Sequence, residues 1–465
     1  MTIHPHIIIV GAGLGGCVLA ARLQNHFRIT MVDLAAQCGP LTIPVHDVGH
    51  PARIKPHAGS GPGGTTHYWQ NGLIEIAEED FAAWPFSKRE LDPYYSLAFY
   101  LLSDQSREIV SKEFSTLKKL YAQRGIPESV IGESLYYPLS RRNLWKSLGL
   151  SKQNIAYQTG RALRFNADDS GQVRSLTVQT ANSVVELSAE CFVSCAGGLS
   201  SPVLLQNTAA NCGLRLPAAG RFYHDHPSAF VAQVTLGTYL HDLWNYSSPE
   251  LNGNIRTGFV VREAGCKFAF YLRPVFMLWP HGKREKLRSL LIDLRNNPYS
   301  IPNYWKLLKN GDDLIDILSF RLGLRIPTRV YSVLMVAEES SEYDLGIGLG
   351  KNGSILRNWR ITPDYKNLAE TALQRLLDTL GPIVKEHKIF RDWAGEIMSS
   401  AHHSGTCRMG TDAATAVCDS DNKVFGLKNL FVCDGSALPS SGYANTGLTI
   451  AALALRLADH LRARA

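Results

Sequence analysis

Two adjacent histidines open the stretch Ala401–Gly410, AHHSGTCRMG, which also holds a glycine turn, a cysteine and an arginine. Residues of these types could hold a metal, serve a nucleophile or act as a base. A zinc site built from His402, His403 and Cys407 would need adjacent side chains to converge, which extended backbone opposes, and a further ligand that the sequence does not supply. A serine hydrolase would need a nucleophile elbow of the form GxSxG, and none occurs. An imidazole poised near neutral pH can instead take a proton, typically for a ~10²–10⁴-fold gain in rate. What it would serve has to come from the elements around it.

The first of those elements lies at the other end of the chain. IIIVGAGLGGCVLAARL reads as a buried strand, then Gly11-Ala-Gly13-Leu-Gly-Gly16, then a helix carrying Val18, Leu19 and Leu23. A second strand, ITMVDLA, reaches Asp33, 22 residues after Gly11. This is the dinucleotide-binding βαβ pattern. Gly11 makes the tight turn, Gly13 lets backbone N–H groups reach a pyrophosphate, and Gly16 lets helix and strand approach. The acid at Asp33 suits ribose hydroxyls and disfavours a 2′-phosphate. By itself the pattern accepts NAD or FAD. A second glycine-rich run, GSGPGGTTHYWQNGL from Gly59 to Leu73, adds hydroxyls and aromatics at Thr65, Thr66, His67, Tyr68 and Trp69. Such backbone can come close to a flat or phosphorylated ligand. Further on, WPFSKRELDPYY starts a helix, with Ser87 and Glu90 spaced as a capping box.

Composition sets the frame. The 465 residues are 45% apolar and 19% charged, an ordinary globular balance with length for about two or three domains. The net charge of +7 is scattered, and no nucleic-acid-binding motif accompanies it. Nine cysteines, odd in number and without CxxC spacing, sit mostly beside apolar residues, which predicts free thiols in a reducing compartment. The N-terminus lacks the charged, apolar and cleavage regions of a secretory signal, and no run of about 18 apolar residues is present to span a bilayer. The expectation is a cytoplasmic protein with no integral membrane segment.

Six separated blocks resemble, in their order, the glucose–methanol–choline (GMC) family of FAD-dependent oxidoreductases. They are the Gly11–Asp33 pattern, GGTTHYW, WPFSKRELDPYY, FVSCAGGLSSPVLLQNT from Phe192, GRFYHDHP from Gly220, and HHSGTCRMG through the C-terminus. The GGTTHYW and WPFS blocks are most similar to the branch of pyranose oxidases and bacterial sugar or polyol dehydrogenases. The resemblance implies an α/β fold with a Rossmann-like FAD-binding domain drawn from residues 1–75, 155–230 and 395–465. A substrate domain, residues 76–154 and 231–394, would be built on an antiparallel sheet plus helices.

The same resemblance implies FAD against Gly11, Gly13, Leu14, Gly16 and Asp33, and then against Gly64, Thr65, Thr66, His67 and Tyr68. Ala196, Asp434, Gly435, Thr446 and Gly447 complete the cofactor set. The last helix, in ANTGLTIAALALRLADHL, is expected to begin near Asn445 or Thr446, its positive end suited to the flavin N1–C2=O edge. Where relatives bond a histidine covalently to flavin, this chain has Tyr68, with His67 one residue earlier. Alternation along a strand would put the two on opposite faces, so non-covalent FAD is expected.

His402 takes the family's catalytic-histidine position. Asn445, in NTGLT, takes its partner's, with Thr446 where relatives have proline. On this reading His402 removes an alcohol O–H proton while hydride leaves the same carbon for the flavin, and Asn445 orients the hydroxyl. His403, Cys407 and Arg408 are structural, HDHP (His224–Pro227) is a turn, and no metal is bound. The substrate is expected to be a sugar, cyclitol or other polyol, with O2 or a redox partner as electron acceptor and no nucleic-acid partner. Competing readings are an NAD-dependent dehydrogenase, a non-redox flavin-containing lyase and a scaffold with a degenerate site.

Between the blocks, IAYQTGRALRFNADDSGQVRSLTVQT reads as hairpin-like, turning at Asp168–Gly171. RVYSVLMVAEES reads as strand, and DLGIGLGKNGSILRNWRI as a hairpin turning at Asn352-Gly353. Residues 280–325 read as helical, with Leu287, Leu290, Leu291 and Leu294 on one stripe, which fits a helical pair packed on the substrate domain, a lid over the active site, a docking surface for an electron acceptor or a basic amphipathic membrane patch.

Overall fold

The computed structural model describes residues 4–49, 58–139, 143–275, 290, 293–294, 297–308, 327–339 and 344–464. The chain opens with β1 (His6–Val10), α1 (Leu14–Leu23) and β2 (Arg28–Asp33), followed by α2 (Lys88–Ser103) and β3 (Ile131–Pro138). Next come β4 (Ile155–Thr159), β5 (Arg161–Ala167), β6 (Val173–Gln179), β7 (Val184–Ser188), β8 (Cys191–Ser194) and α3 (Gly197–Cys212). The second half contains β9 (Pro227–Leu236), β10 (Gly253–Glu263), β11 (Cys266–Pro274), β12 (Val330–Ala337), β13 (Val384–Ile389), β14 (Leu430–Val432) and α4 (Gly447–Arg464).

β1 is buried at all five residues, as HIIIV should be when a sheet is covered on both faces. It lies at the centre of a wholly parallel sheet ordered β14-β8-β1-β2-β4, with α1 packed against α4. This is the Rossmann-like half of an α/β fold, and its strands come from four distant parts of the sequence. A second sheet, antiparallel and ordered β13-β9-β12-β11-β10-β3, forms the other half. β5, β6 and β7 make a small antiparallel sheet of their own. Its expected turn is present, with Asp168 Oδ1 accepting from the Ser170 and Gln172 amides and Gly171 at φ 79°. The expected hairpin Gly346–Leu349/Ile355–Trp359 also forms, turning through Asn352 and Gly353 at φ 55° and 72°.

Ser87 caps α2 as expected, its amide donating to Glu90 Oε1 at 3.3 Å. α4 starts at Gly447, just beyond the expected Asn445 or Thr446. One local expectation fails. GGTTHYW is not a strand but a 3₁₀ turn, Gly64–His67, because Gly63 and Gly64 take left-handed φ of 95° and 49° and wind the chain. The helical reading of 280–325 falls largely outside the described residues, Leu287 and Leu291 included. Within them Leu290 and Leu294 are buried, and Ile301–Leu308 is helical.

Candidate active site

Both halves face one cavity of about 650 Å³, a volume within the usual range for cofactor and ligand sites. Gly11, Gly13, Leu14, Asp33, Thr65, Thr66 and Tyr68 line one region of it. Ala196, His402, Asp434, Gly435, Asn445, Thr446 and Gly447 also line it, so sequence positions more than 400 apart meet in one space. Gly16, Gly64 and His67, expected against the cofactor, are not among the lining residues. Gly64 packs behind the wall, where a Cβ would sit 2.8 Å from the Gly13 Cα. His67 meets the edge of the Tyr68 ring instead.

The glycines of the first turn do different work. Gly11 has φ 104°, and a Cβ there would lie 2.2 Å from the Cys195 carbonyl oxygen. A Cβ on Gly16 would lie 2.0 Å from the Gly11 carbonyl oxygen, which is the close helix–strand approach the spacing predicts. Gly13 differs: a Cβ on it meets nothing within 4 Å, so it borders open space. Gly13 is the N-cap of α1, provides no side-chain cap, and no acid occupies the first turn. The first N–H groups of a helix lack intrahelical partners and carry its positive end, so this is a place for an anion.

Asp33, at the end of β2, accepts from the Ala12 amide at 2.8 Å and the Gly61 amide at 2.6 Å. Burial pushes its carboxyl above the ordinary value, against the pull of those amides. It lines the cavity, and because Oδ1 also accepts from the Ala35 amide at 3.4 Å, the remaining acceptor capacity is on Oδ2, where a ribose hydroxyl could donate. An uncapped helix end for a pyrophosphate, an acid for ribose and a second helix start at Thr446–Gly447 together fit FAD. Asp434 lines the cavity as well. Its Oδ2 accepts from the Gly197 amide at 2.8 Å and the Ser201 hydroxyl at 2.5 Å. Oδ1 takes the Ser436 amide and hydroxyl. Its carboxylate braces β14 against α3.

His402 is held by residues the sequence did not point to. HDHP, read as a turn, supplies them. His226 Nδ1 lies 2.8 Å from His402 Nδ1, and His226 Nε2 lies 3.0 Å from Ser441 Oγ. Asp225 accepts from the His402 amide at 3.0 Å, the His226 amide at 2.7 Å and the Tyr223 hydroxyl at 3.3 Å, and also from the Ser399 hydroxyl. His403 Nδ1 sits 3.4 Å from Asp225 and 2.8 Å from Tyr223 Oη. A backbone bridge between His224 and Ser404 locks the two blocks together. Ala401, just before His402, sits at φ 60°, a strained conformation for a residue with a Cβ, and its amide donates to Ser399 Oγ at 3.0 Å.

Electrostatics follow from this burial. Burial alone would raise Asp225, yet the His403 hydrogen bond and charge, the Ser399 hydroxyl and the charge of His402 hold it well below the usual carboxylate range. Burial, and then the charge of His402, push His226 well below its ordinary value, so it is a neutral imidazole at pH 7. Asn445 donates from Nδ2 to the Gly72 carbonyl at 3.3 Å, which fixes the amide at the cavity wall. Cys407 is fully buried, no disulfide joins any of the nine cysteines, and the Arg408 guanidinium lies 3.4 Å from the centre of the Phe222 ring. Among the described residues no group of three or more His, Cys, Asp or Glu is placed to hold a metal ion. No described helix is long and apolar enough to cross a membrane.

Residues 367–454 match the family described as GMC oxidoreductase, and residues 9–70 match the NAD(P)-binding Rossmann-like domain. A C-glycoside 3-oxidase from Arthrobacter globiformis is 32% identical over 271 residues, 58% of this chain and 46% of that protein. The long-chain-alcohol oxidase FAO4B of Arabidopsis thaliana is 27% identical over 289 residues, 57% of this chain and 34% of that protein. The chain thus spans less than half the length of these curated relatives. The structure of pyridoxine 4-oxidase from Mesorbium loti superposes with a TM-score of 0.62 at 17% identity, over 98% of this chain and 99% of that one, a likeness of fold. The C-terminal region, residues 367–454, is thus similar to that of GMC oxidoreductases.

Proposed function

We propose that the protein is an FAD-dependent oxidoreductase that oxidises the CH–OH group of a small polyhydroxylated alcohol to an aldehyde or ketone. The observation that carries this reading is the His226–His402 pair, whose His402 lines the same cavity as Gly13 at the uncapped start of α1. FAD bound along the cleft supplies the hydride acceptor. It is held without a covalent bond, since Tyr68 rather than His67 borders the cavity. The FAD-binding domain takes residues 1–75, 155–230 and 395–465, and the substrate domain takes 76–154 and 231–394.

The proton chemistry belongs to the chain. Neutral His226 has one N–H. When Nε2–H donates to Ser441, its Nδ1 accepts from the Nδ1–H of His402. His402 Nε2 is then the basic nitrogen that meets the substrate hydroxyl. As His402 gains a proton there, His226 still accepts from Nδ1–H and stabilises the cation, as an orienting group does for a catalytic histidine. Asn445, tethered by Gly72, steers the hydroxyl and does not compete for its proton.

The test is the visible spectrum of the purified protein, followed by acid precipitation. A flavin spectrum with the colour released to the supernatant is expected. His402→Ala should keep the flavin and slow its reduction by alcohol ~10²–10⁴-fold in stopped flow. A colourless protein that binds NAD, or a flavin that no alcohol reduces, would overturn the reading.

A further inference from the structure

The helix Ile301–Leu308 presents its apolar face outward. Ile301, Tyr304, Trp305 and Leu308 recur at the spacing i, i+3, i+4, i+7, which puts them on one face. In a helix packed on a globular protein such a face goes to the core. Here the four residues are between 46% and 69% exposed, and Tyr299, just before the helix, is 90% exposed. No residue of the helix is buried, and its two half-buried residues, Asn303 and Leu307, lie on the other side. The active site does not account for the stripe either, since none of these residues lines the cavity.

Single apolar residues scattered on a surface are ordinary, whereas a contiguous aromatic and aliphatic face marks a place that something covers. Composition selects the occupant. Tyr and Trp rings are amphipathic and settle at the headgroup level of a bilayer, while Ile and Leu between them reach the acyl boundary. Charge points the same way. From His281 to Lys309 the sequence holds seven Lys or Arg, Lys306 of the helix among them, against two acids, Glu285 and Asp293, and the whole chain carries +7. Anionic headgroups attract bases that accompany an apolar helix face. Eight residues are too short to span a bilayer, which takes about 20, so this geometry suits a helix lying in the plane of the surface.

We infer that the outward face of Ile301–Leu308, together with Tyr299, docks the protein on an anionic lipid surface. The inference does not depend on the alcohol chemistry proposed for the cavity.

The experiment is cosedimentation of the FAD-loaded protein with vesicles of phosphatidylcholine, with and without phosphatidylglycerol. Binding should be about tenfold or more tighter when phosphatidylglycerol is present, and it should weaken as ionic strength rises. The double variant Trp305→Asn, Leu308→Asn should bind those vesicles about tenfold or more weakly, with melting temperature and flavin content unchanged, because both side chains are largely exposed. Tyr299→Ser, at the most exposed position of the five, should weaken binding about threefold, and Trp305→Phe should keep most of it. Failure of the wild-type protein to bind either vesicle would overturn the inference. So would variants that bind as tightly as the wild-type protein, which would mean adsorption of a basic protein by charge alone. Sedimentation velocity without lipid supplies the remaining outcome. A wild-type dimer that the double variant turns into a monomer would assign the face to a second copy of this chain and overturn the lipid reading.

Discussion

At the residue scale, the chemistry turns on a proton that His226 and His402 cannot both hold. Two ring nitrogens 2.8 Å apart need one donor and one acceptor, and His226 is the acceptor in the tautomer whose Nε2–H donates to Ser441. His226→Leu removes the acceptor, so the cationic form of His402 loses support and its apparent pKa falls. We expect the flavin to stay bound, reduction by alcohol to slow about 10–100-fold, and the low-pH limb of the kcat/KM profile to move to lower pH. His226→Asn, which keeps a hydrogen-bonding side chain, should recover part of the rate. A wild-type pH profile in His226→Leu would mean that His402 needs no such partner. Asp225 sets the backbone around this pair, and its depressed pKa gives it a stabilising role that is present above the ordinary carboxylate range and lost as pH falls below it.

At the scale of elements, the glycine turn before α1 separates packing from ligand binding. Gly16→Ala would drive a Cβ into the Gly11 carbonyl and push α1 off β1, at a cost of about 1–3 kcal/mol, so the apoprotein should melt earlier. Gly13→Ala meets no protein atom, so the apoprotein should keep its melting temperature while its affinity for FAD drops. Thermal melts of apoprotein and fluorescence titration with FAD separate the two. Loss of stability in both variants would refute the division. The packing at Gly11 and Gly16 was legible in the sequence because a βαβ turn fixes it by spacing alone. The left-handed pair Gly63–Gly64 was not, since two glycines in a row allow a loop, a strand end or a wound turn equally well. Nor was the role of HDHP, which depends on a bridge between His224 and Ser404 that no local pattern announces.

Across the whole molecule, the antiparallel sheet is tied to the loop that holds His226 by a charged knot. Lys267 on β11 pairs with Asp80 at 2.6 Å and Glu79 at 2.9 Å, and its backbone amide donates to Glu338 Oε2 at 3.1 Å. From there the link continues: Ser440 donates to the Asp80 carbonyl at 2.5 Å and accepts from Trp84 Nε1 at 3.0 Å, one residue before the Ser441 that holds His226. One lysine thus faces three acids. The Lys267 hydrogen bond takes Glu79 down to about 2, whereas burial, reinforced by the Asp80 charge, pushes Glu338 up to about 7. A carboxyl raised in the folded state binds its proton more tightly there than in the unfolded chain. Its contribution is therefore complete below the ordinary value of 4.5 and is lost as pH rises through about 7. We expect thermal stability to fall between pH 5 and pH 8 by about 2 kcal/mol from this group. Glu338→Gln, which stays neutral, should flatten that fall and match the wild-type protein near pH 5. Melting curves of both proteins across the range measure it. If Glu338→Gln kept the full slope, the proton would reside on another member of the knot, and Asp80→Asn, at an acid whose side chain is far more buried than that of Glu79, would then be the variant that flattens it.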